Sequence, residues 1–247
     1  MARDEIECGS GMTQLKNYLV LLLVLGVAGR AGGAEFASGL ITFARVKGRV
    51  DVHFDGQTHR ARKGTQCVEG VTVETAPGSE SAIVLANGSV ALISGGARFT
   101  VRAFQIIPFP SPNRNLFRSR KEPSISRTNI KLERGELTFF VRNLHKDSEY
   151  AVETAFGSIW PRADEVEFAS TFIVRDNSEG RTVAVWKGSI DLKGHNRREE
   201  KIGSDKHVFF GEDLRPLVAN GLEWSYVRLF EQRMFAIEAI TKKFRLK

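Results

Sequence analysis

Apolar and polar residues alternate in short runs along most of the chain, and near the C-terminus the alternation gives way to a longer period. Val50, Val52 and Phe54 fall on one side of their segment and Arg49, Asp51 and His53 on the other, the period of two of a strand with one wet face. Val71 and Val73 alternate with Thr72 and Glu74 in the same way, and Phe99, Val101 and Ala103 with Arg98, Thr100 and Arg102. Ala76-Pro77-Gly78-Ser79 is turn chemistry. Ser81 to Ala86 and Ser89 to Ile93 read as two strands joined by a two-residue hairpin at Asn87-Gly88, both able to take positive φ. Leu132 to Val141, Tyr150 to Trp160 and Thr182 to Leu192 repeat the pattern, and Val73 to Ser79 (VETAPGS) recurs as Val152 to Ser158 (VETAFGS). Gly48, Gly88, Gly135 and Gly188 each precede a strand whose alternate residues enter a core, which makes them structural turn glycines of a loosely repeating β fold.

The period changes between Glu223 and Phe244. Val227, Phe230, Met234, Ile237 and Phe244, with Tyr226 and Ile240 beside them, form one stripe of an amphipathic helix. Docking of that stripe on the β core is expected. The alternative is an exposed helix whose Lys242, Lys243, Arg245 and Lys247 suit an anionic lipid surface. Ile106 to Asn129 holds four of the seven prolines and has no period, so it reads as a surface loop. A sharper reading makes Arg114, Arg118, Arg120 and Lys121 a contact arm for an acidic partner, anchored by Phe109, Leu116 and Phe117. Gly194 to Asp205 reads as a charged turn or loop. The layout is a leader over 1–34, a first β half over 35–105, the loop over 106–129, a second β half over 130–193, and a linker with the helix over 194–247.

Tyr18 to Ala28 is an uncharged apolar run, short for a bilayer span. Lys16 precedes it and Ala31, Gly32, Gly33 and Ala34 follow, the layout of a secretory signal cleaved after Ala34. Asp4, Glu5 and Glu7 spoil the positive segment unless translation starts at Met12. Periplasm, cell surface or secretion follows, with no stable membrane span after cleavage. Removal of the leader takes Cys8 with it and leaves Cys67 unpaired, a small apolar residue rather than half of a disulfide. The net charge of +7 comes from scattered Lys and Arg without a basic stripe, so nucleic acid is not expected as a partner.

Catalytic patterns are missing. His53, His59, His145, His195 and His207 lack zinc-like spacing, and no nucleophile elbow, phosphate loop or dinucleotide fingerprint is present. Asp164, Glu165 and Glu167 read as a solvated turn. Neither an enzyme nor a cofactor is expected. Trp160 and Trp186 are the two candidates for a sugar-stacking platform, against packing in the core.

Val46-x-Gly48-x-Val50, Ala61-x-x-Gly64, Gly70-Val71-x-Val73-x-Thr75 and Ser81-Ala82-x-Val84-Leu85-x-Asn87-Gly88-Ser89 together resemble the FecR domain. Asn87 stands where that family usually has Asp, and the family's Gly-Thr-x-Phe-x-Val is met only by Ser170-Thr171-Phe172-Ile173-Val174. The resemblance implies a mainly β fold: a twisted solenoid or sandwich of two imperfect repeats, here with a C-terminal amphipathic helix. It also implies a place on the extracytoplasmic side of a bacterial envelope, since the founding member relays a ferric-citrate signal from an outer-membrane transporter to a sigma factor. Only seventeen residues precede the apolar run, so direct contact with a sigma factor is not expected. The expected function is recognition of another envelope protein, with a secreted glycan- or cell-wall-binding module second and an envelope-polymer hydrolase third. Oligomeric state is not set by these patterns.

Overall fold

Alternating segments punctuated by glycine fold as strands that turn sharply between two layers. The computed structural model describes residues 35–109, 116–117, 121–162, 170–194, 199–211 and 213–244. The leader, the cleavage position, Arg114, Arg118, Arg120, Asp164, Glu165, Glu167, His195, Arg245 and Lys247 lie outside the described residues. In chain order the strands are β1 (Ala37–Ser38), β2 (Ile41–Lys47), β3 (Val50–Phe54), β4 (Gln57–Arg60), β5 (Gln66–Cys67), β6 (Thr72–Thr75), β7 (Glu80–Leu85), β8 (Val90–Ile93) and β9 (Arg98–Ile106). They continue with β10 (Ser126–Val141), β11 (Glu149–Thr154), β12 (Gly157–Pro161), β13 (Ser170–Asn177), β14 (Gly180–Lys187), β15 (Ile190–Gly194), β16 (Glu199–Ile202), β17 (Lys206–Phe210) and β18 (Pro216–Asn220). One helix, α1 (Trp224–Lys243), closes the described chain.

Sheet I runs β4-β3-β6-β9-β10-β11-β12-β15-β16, with β1 alongside the far end of β9. Sheet II runs β5-β2-β7-β8-β10-β13-β14-β17-β18. Among the described strands every pairing is antiparallel except β10 with β11, where Ile130 lies opposite Val152. Among the described residues the ladders meet only at β10 and do not close into a ring, so both sheets are open there. The protein is mainly β, with one half of the chain on each side of β10 in both layers.

β10 belongs to sheet I up to Arg134 and to sheet II from Gly135. Gly135 has φ +99°, and a Cβ there would lie 2.4 Å from Ala97 Cα. The two halves share another corner. At Gly48 (φ +80°) a Cβ would meet Ser79 Oγ at 2.5 Å, and at Gly188 (φ +75°) it would meet Ser170 Oγ at 2.6 Å. Gly88 sits differently, in the β7–β8 hairpin inside sheet II. There Ala86, Asn87 and Gly88 form a three-residue loop, with Leu85 N donating to Ser89 O at 2.9 Å and positive φ confined to Gly88. The two-residue loop expected at Asn87-Gly88 is therefore corrected. Asn87 is instead buried, its Oδ1 accepting from Ser89 N at 3.0 Å and its Nδ2 donating to Ser126 Oγ at 3.1 Å. Asp55-Gly56 makes the two-residue positive-φ hairpin, at φ 50° and 71°.

Two segments expected as loops hold strands. Ser126 to Asn129 already pairs as β10, and Glu199 to Ile202 pairs as β16. β17 and β18 lie in what reads from sequence as linker.

The main core fills the space between the sheets, with Phe43, Phe99, Phe139, Phe156 and Phe172 fully buried in it. Strands of sheet II are buried on their other face too: Ala82, Val84, Val90 and Leu92 meet Ile237 and Ile240 of α1, and Ile173 and Ala184 meet Tyr226 and Phe230. The helix is docked, not free. An ionic clamp adds to this seam, where Arg233 Nη2 donates to Ser94 Oγ at 2.7 Å and Glu136 Oε1 at 3.3 Å. Arg175 holds the other Glu136 oxygen from Nε at 2.9 Å and Nη2 at 2.6 Å.

Candidate binding surfaces

With one face of sheet II under its own helix, the outer face of sheet I and the sheet edges remain for partners. The outer face of sheet I is polar because every second residue of its strands is polar, and those residues pair across the ladders. Glu74 takes Arg98 Nη1 at 2.8 Å and also Arg134, and Arg98 Nε reaches Glu133 at 2.8 Å. These bonds, Glu133 first, raise the Arg98 guanidinium above its ordinary value. Asp51 is held below the usual carboxylate range, chiefly by the hydrogen bond from Arg49 at 2.7 Å. Arg102 and Asn129 Nδ2 (2.8 Å) both bond to Glu153. Most of the charges on this face are paired. Beside Trp160 it opens into a groove of about 670 Å³.

The two tryptophans do not form one platform. Trp160 projects from β12 of sheet I, whereas Trp186 on β14 of sheet II lies against Phe230 of α1, ring centroids 5.3 Å apart. Trp186 is spent on docking the helix. The anchors imagined for a contact arm are spent as well. Leu116 is buried, and Phe109 and Phe117 are partly buried in the same cluster as Ile237. Phe117 also lies edge-on to Phe244 at 6.1 Å and beneath the guanidinium of the buried Arg142 at 5.9 Å. Of the proposed basic contacts, Lys121 alone is among the described residues, exposed and bridged to Asn143.

A buried carboxylate that sequence reasoning missed pins this region. Glu122 accepts from Ser126 Oγ at 2.7 Å, from His145 N at 2.7 Å and from Ser148 Oγ. Burial pushes its carboxyl up, against the downward pull of those donors. No sequence signal marks it, because its partners come from the start of β10 and from the His145–Ser148 turn, about twenty residues apart in the chain. Among the described residues no three His, Cys, Asp or Glu side chains gather as a metal site.

The outermost strands differ sharply in chemistry. β4 is Gln-Thr-His-Arg, β16 is Glu-Glu-Lys-Ile, and β5 has only two residues. Charge, polarity and shortness are the usual protections of an edge. β18 is Pro-Leu-Val-Ala-Asn, paired on one side with β17, and leaves Leu217 66% and Val218 46% exposed. Trp224, 69% exposed, begins α1 four residues later.

Residues 71–191, just under half of the chain, match the family described as FecR protein. That stretch of the chain is similar to a FecR domain. The match spans β6 to β15, including the β10 crossing, while β17, β18 and α1 lie beyond it. Two crystal structures of a "putative anti-sigma factor" from Parabacteroides distasonis ATCC 8503 are similar in fold. One is 14% identical with a TM-score of 0.47, covering 64% of each chain. The other is 13% identical with a TM-score of 0.46, covering 64% of this chain and 63% of that one. The chain thus spans under two thirds of their lengths. No curated protein matches it.

Proposed function

We propose that this chain is an exported, non-enzymatic FecR-domain protein that recognises another envelope protein by accepting one of its strands along β18. The observation that carries this reading is the contrast among the edges: β18 alone among the outer strands of more than two residues is free of charge and apolar. An unprotected apolar edge offers unpaired backbone groups for strand addition, with side-chain pockets to set specificity. Export is supported by the apolar run Tyr18 to Ala28 with Lys16 before it, and by the similarity to a FecR domain. No helix among the described residues is long and apolar enough to cross a membrane. The relay role of the founding FecR member makes signalling the natural output of such a contact.

Proximity labelling in the native cell, with wild type and Leu217→Lys compared, tests the reading. Leu217 is exposed, so the lysine leaves the melting temperature unchanged while charging the edge. Wild type is expected to label an envelope protein that the variant labels at least tenfold less. Equal labelling by both, or a cytoplasmic sigma factor as the labelled protein, overturns it. Sequencing of the mature N-terminus is expected to begin at Glu35; a protein beginning at Met1 or Met12 refutes cleavage.

A further inference from the structure

We propose that the groove beside Trp160, on the outer face of sheet I, is a saccharide subsite that takes flat-faced, β-linked pyranose units. The ladder registers place Asn129 opposite Ala103 on one side and opposite Ala151 on the other. Val152 pairs with Ile159 and Glu153 with Ser158, so the next step along β11 sets Ala151 beside Trp160. A row therefore crosses four strands as Ala103, Asn129, Ala151, Trp160. The alanine next to the indole is too short to cover it, and the row of small side chains forms a trench against the ring.

The other two tryptophans are already engaged. Trp186 has Phe230, and Trp224 has the Arg228 guanidinium 5.8 Å from its ring. Trp160 has neither an aromatic nor a cationic partner among the described residues. An apolar ring with a polar N–H edge, partly exposed in a wet trench, suits the C–H face of a sugar.

The polar groups around it suit sugar hydroxyls. Asn129 donates to Glu153 through Nδ2, yet its Oδ1 is buried and has no partner. Asn129 lines the groove, and its Oδ1, shielded from solvent as it stands, is left one donor short. Arg127, on the same face, is oriented by stacking over Phe36 at 4.3 Å. The volume, about 670 Å³, falls within the range of small-ligand sites. The groove lies on the opposite layer from β18, so this inference stands apart from strand recognition.

The test titrates the full chain with cellotetraose and chitotetraose by calorimetry, and sediments it with insoluble peptidoglycan. Saturable binding to at least one of the three is expected, and the three arms separate plain glucan, N-acetylated glycan and cell wall. Trp160→Ala is expected to weaken binding about tenfold, the loss of one aromatic contact of roughly 1.4 kcal/mol. Ala151→Phe, which fills the trench and removes nothing, is expected to block it as well; its unchanged melting temperature separates blocking from unfolding. Absence of saturable binding in all three arms overturns the proposal, as does binding that Ala151→Phe leaves intact.

Discussion

Three glycine-to-alanine substitutions should fall in an order set by what the new methyl group meets. Gly56, φ +71°, has nothing within 4 Å of a built Cβ. Gly56→Ala thus costs only the left-handed backbone, about 1–2 kcal/mol. Gly48, φ +80°, adds a contact of 2.5 Å with Ser79 Oγ, the atom that accepts the Arg49 N–H at 2.8 Å. The hydroxyl can turn away only by giving up that bond, so Gly48→Ala costs about 3 kcal/mol, the backbone term plus roughly 1 for the bond and some overpacking. At Gly135 the obstacles are Ala97 Cα at 2.4 Å and Ala97 N at 3.0 Å. Main chain cannot rotate aside, so the β10 crossing must open; Gly135→Ala should cost about 4 kcal/mol or more. Urea and thermal unfolding of the full chain read these costs, at roughly 2–4 °C per kcal/mol for a domain of this size. Gly48→Ala combined with Ser79→Gly should recover the overpacking and keep the backbone part and the loss of the Arg49 bond. Equal destabilisation by Gly56→Ala and Gly135→Ala would show that the corners are not tight and refute the reasoning.

Phe230→Ala, at a fully buried position against Trp186, should cost about 3–5 kcal/mol and make α1 the first site of tryptic cleavage; uniform cleavage across the chain contradicts a separately docked helix. Burial raises the Glu122 carboxyl in the folded state, so the folded protein binds that proton more tightly than the unfolded one. Stability from this group is greatest below the unfolded carboxylate value of about 4.3 and falls as pH rises toward the folded value. Glu122→Gln should flatten that fall in urea midpoints taken upward from pH 4, and an unchanged slope refutes the assignment. Burial pushes the Cys67 thiol up to about 12, so in a Cys8→Ser background Ellman's reagent at pH 8 should react only after unfolding. Rapid stoichiometric reaction of the native protein would count against it.

How much of this was legible in the sequence depended on which layer a strand joined. The three cleanly alternating stretches, around Val50, Val73 and Val101, all lie in sheet I, where one face meets water. In sheet II both faces are covered, so Ala82 to Leu85 and Val90 to Ile93 are buried without interruption, and their alternation is lost. The helical stripe over Tyr226 to Ile240 was readable, but the face it would cover was not, because that follows from strand order rather than from period. The duplicated VETA-x-GS motif shows the same limit. At Pro77 the chain crosses from sheet I to sheet II, whereas Phe156 inserts into the core 4.3 Å from Phe210 and holds its turn inside sheet I. Two copies that differ at one residue in seven thus lead into different layers.

The same limit bears on both proposed sites. Tryptophan was recognisable as candidate platform chemistry, yet only the pairing order shows that Trp160 faces solvent and Trp186 faces a helix. Pro216-Leu217-Val218-Ala219-Asn220 carries a weak strand signal because a proline opens it and it is short. A proline lacks a ladder donor and is tolerated where one side of a strand has no neighbour. The feature that hid β18 from a reading by pattern is therefore the one that marks it as an edge. Its missing charges then become informative only beside the polar β4 and the charged β16, which carry the protection that β18 lacks.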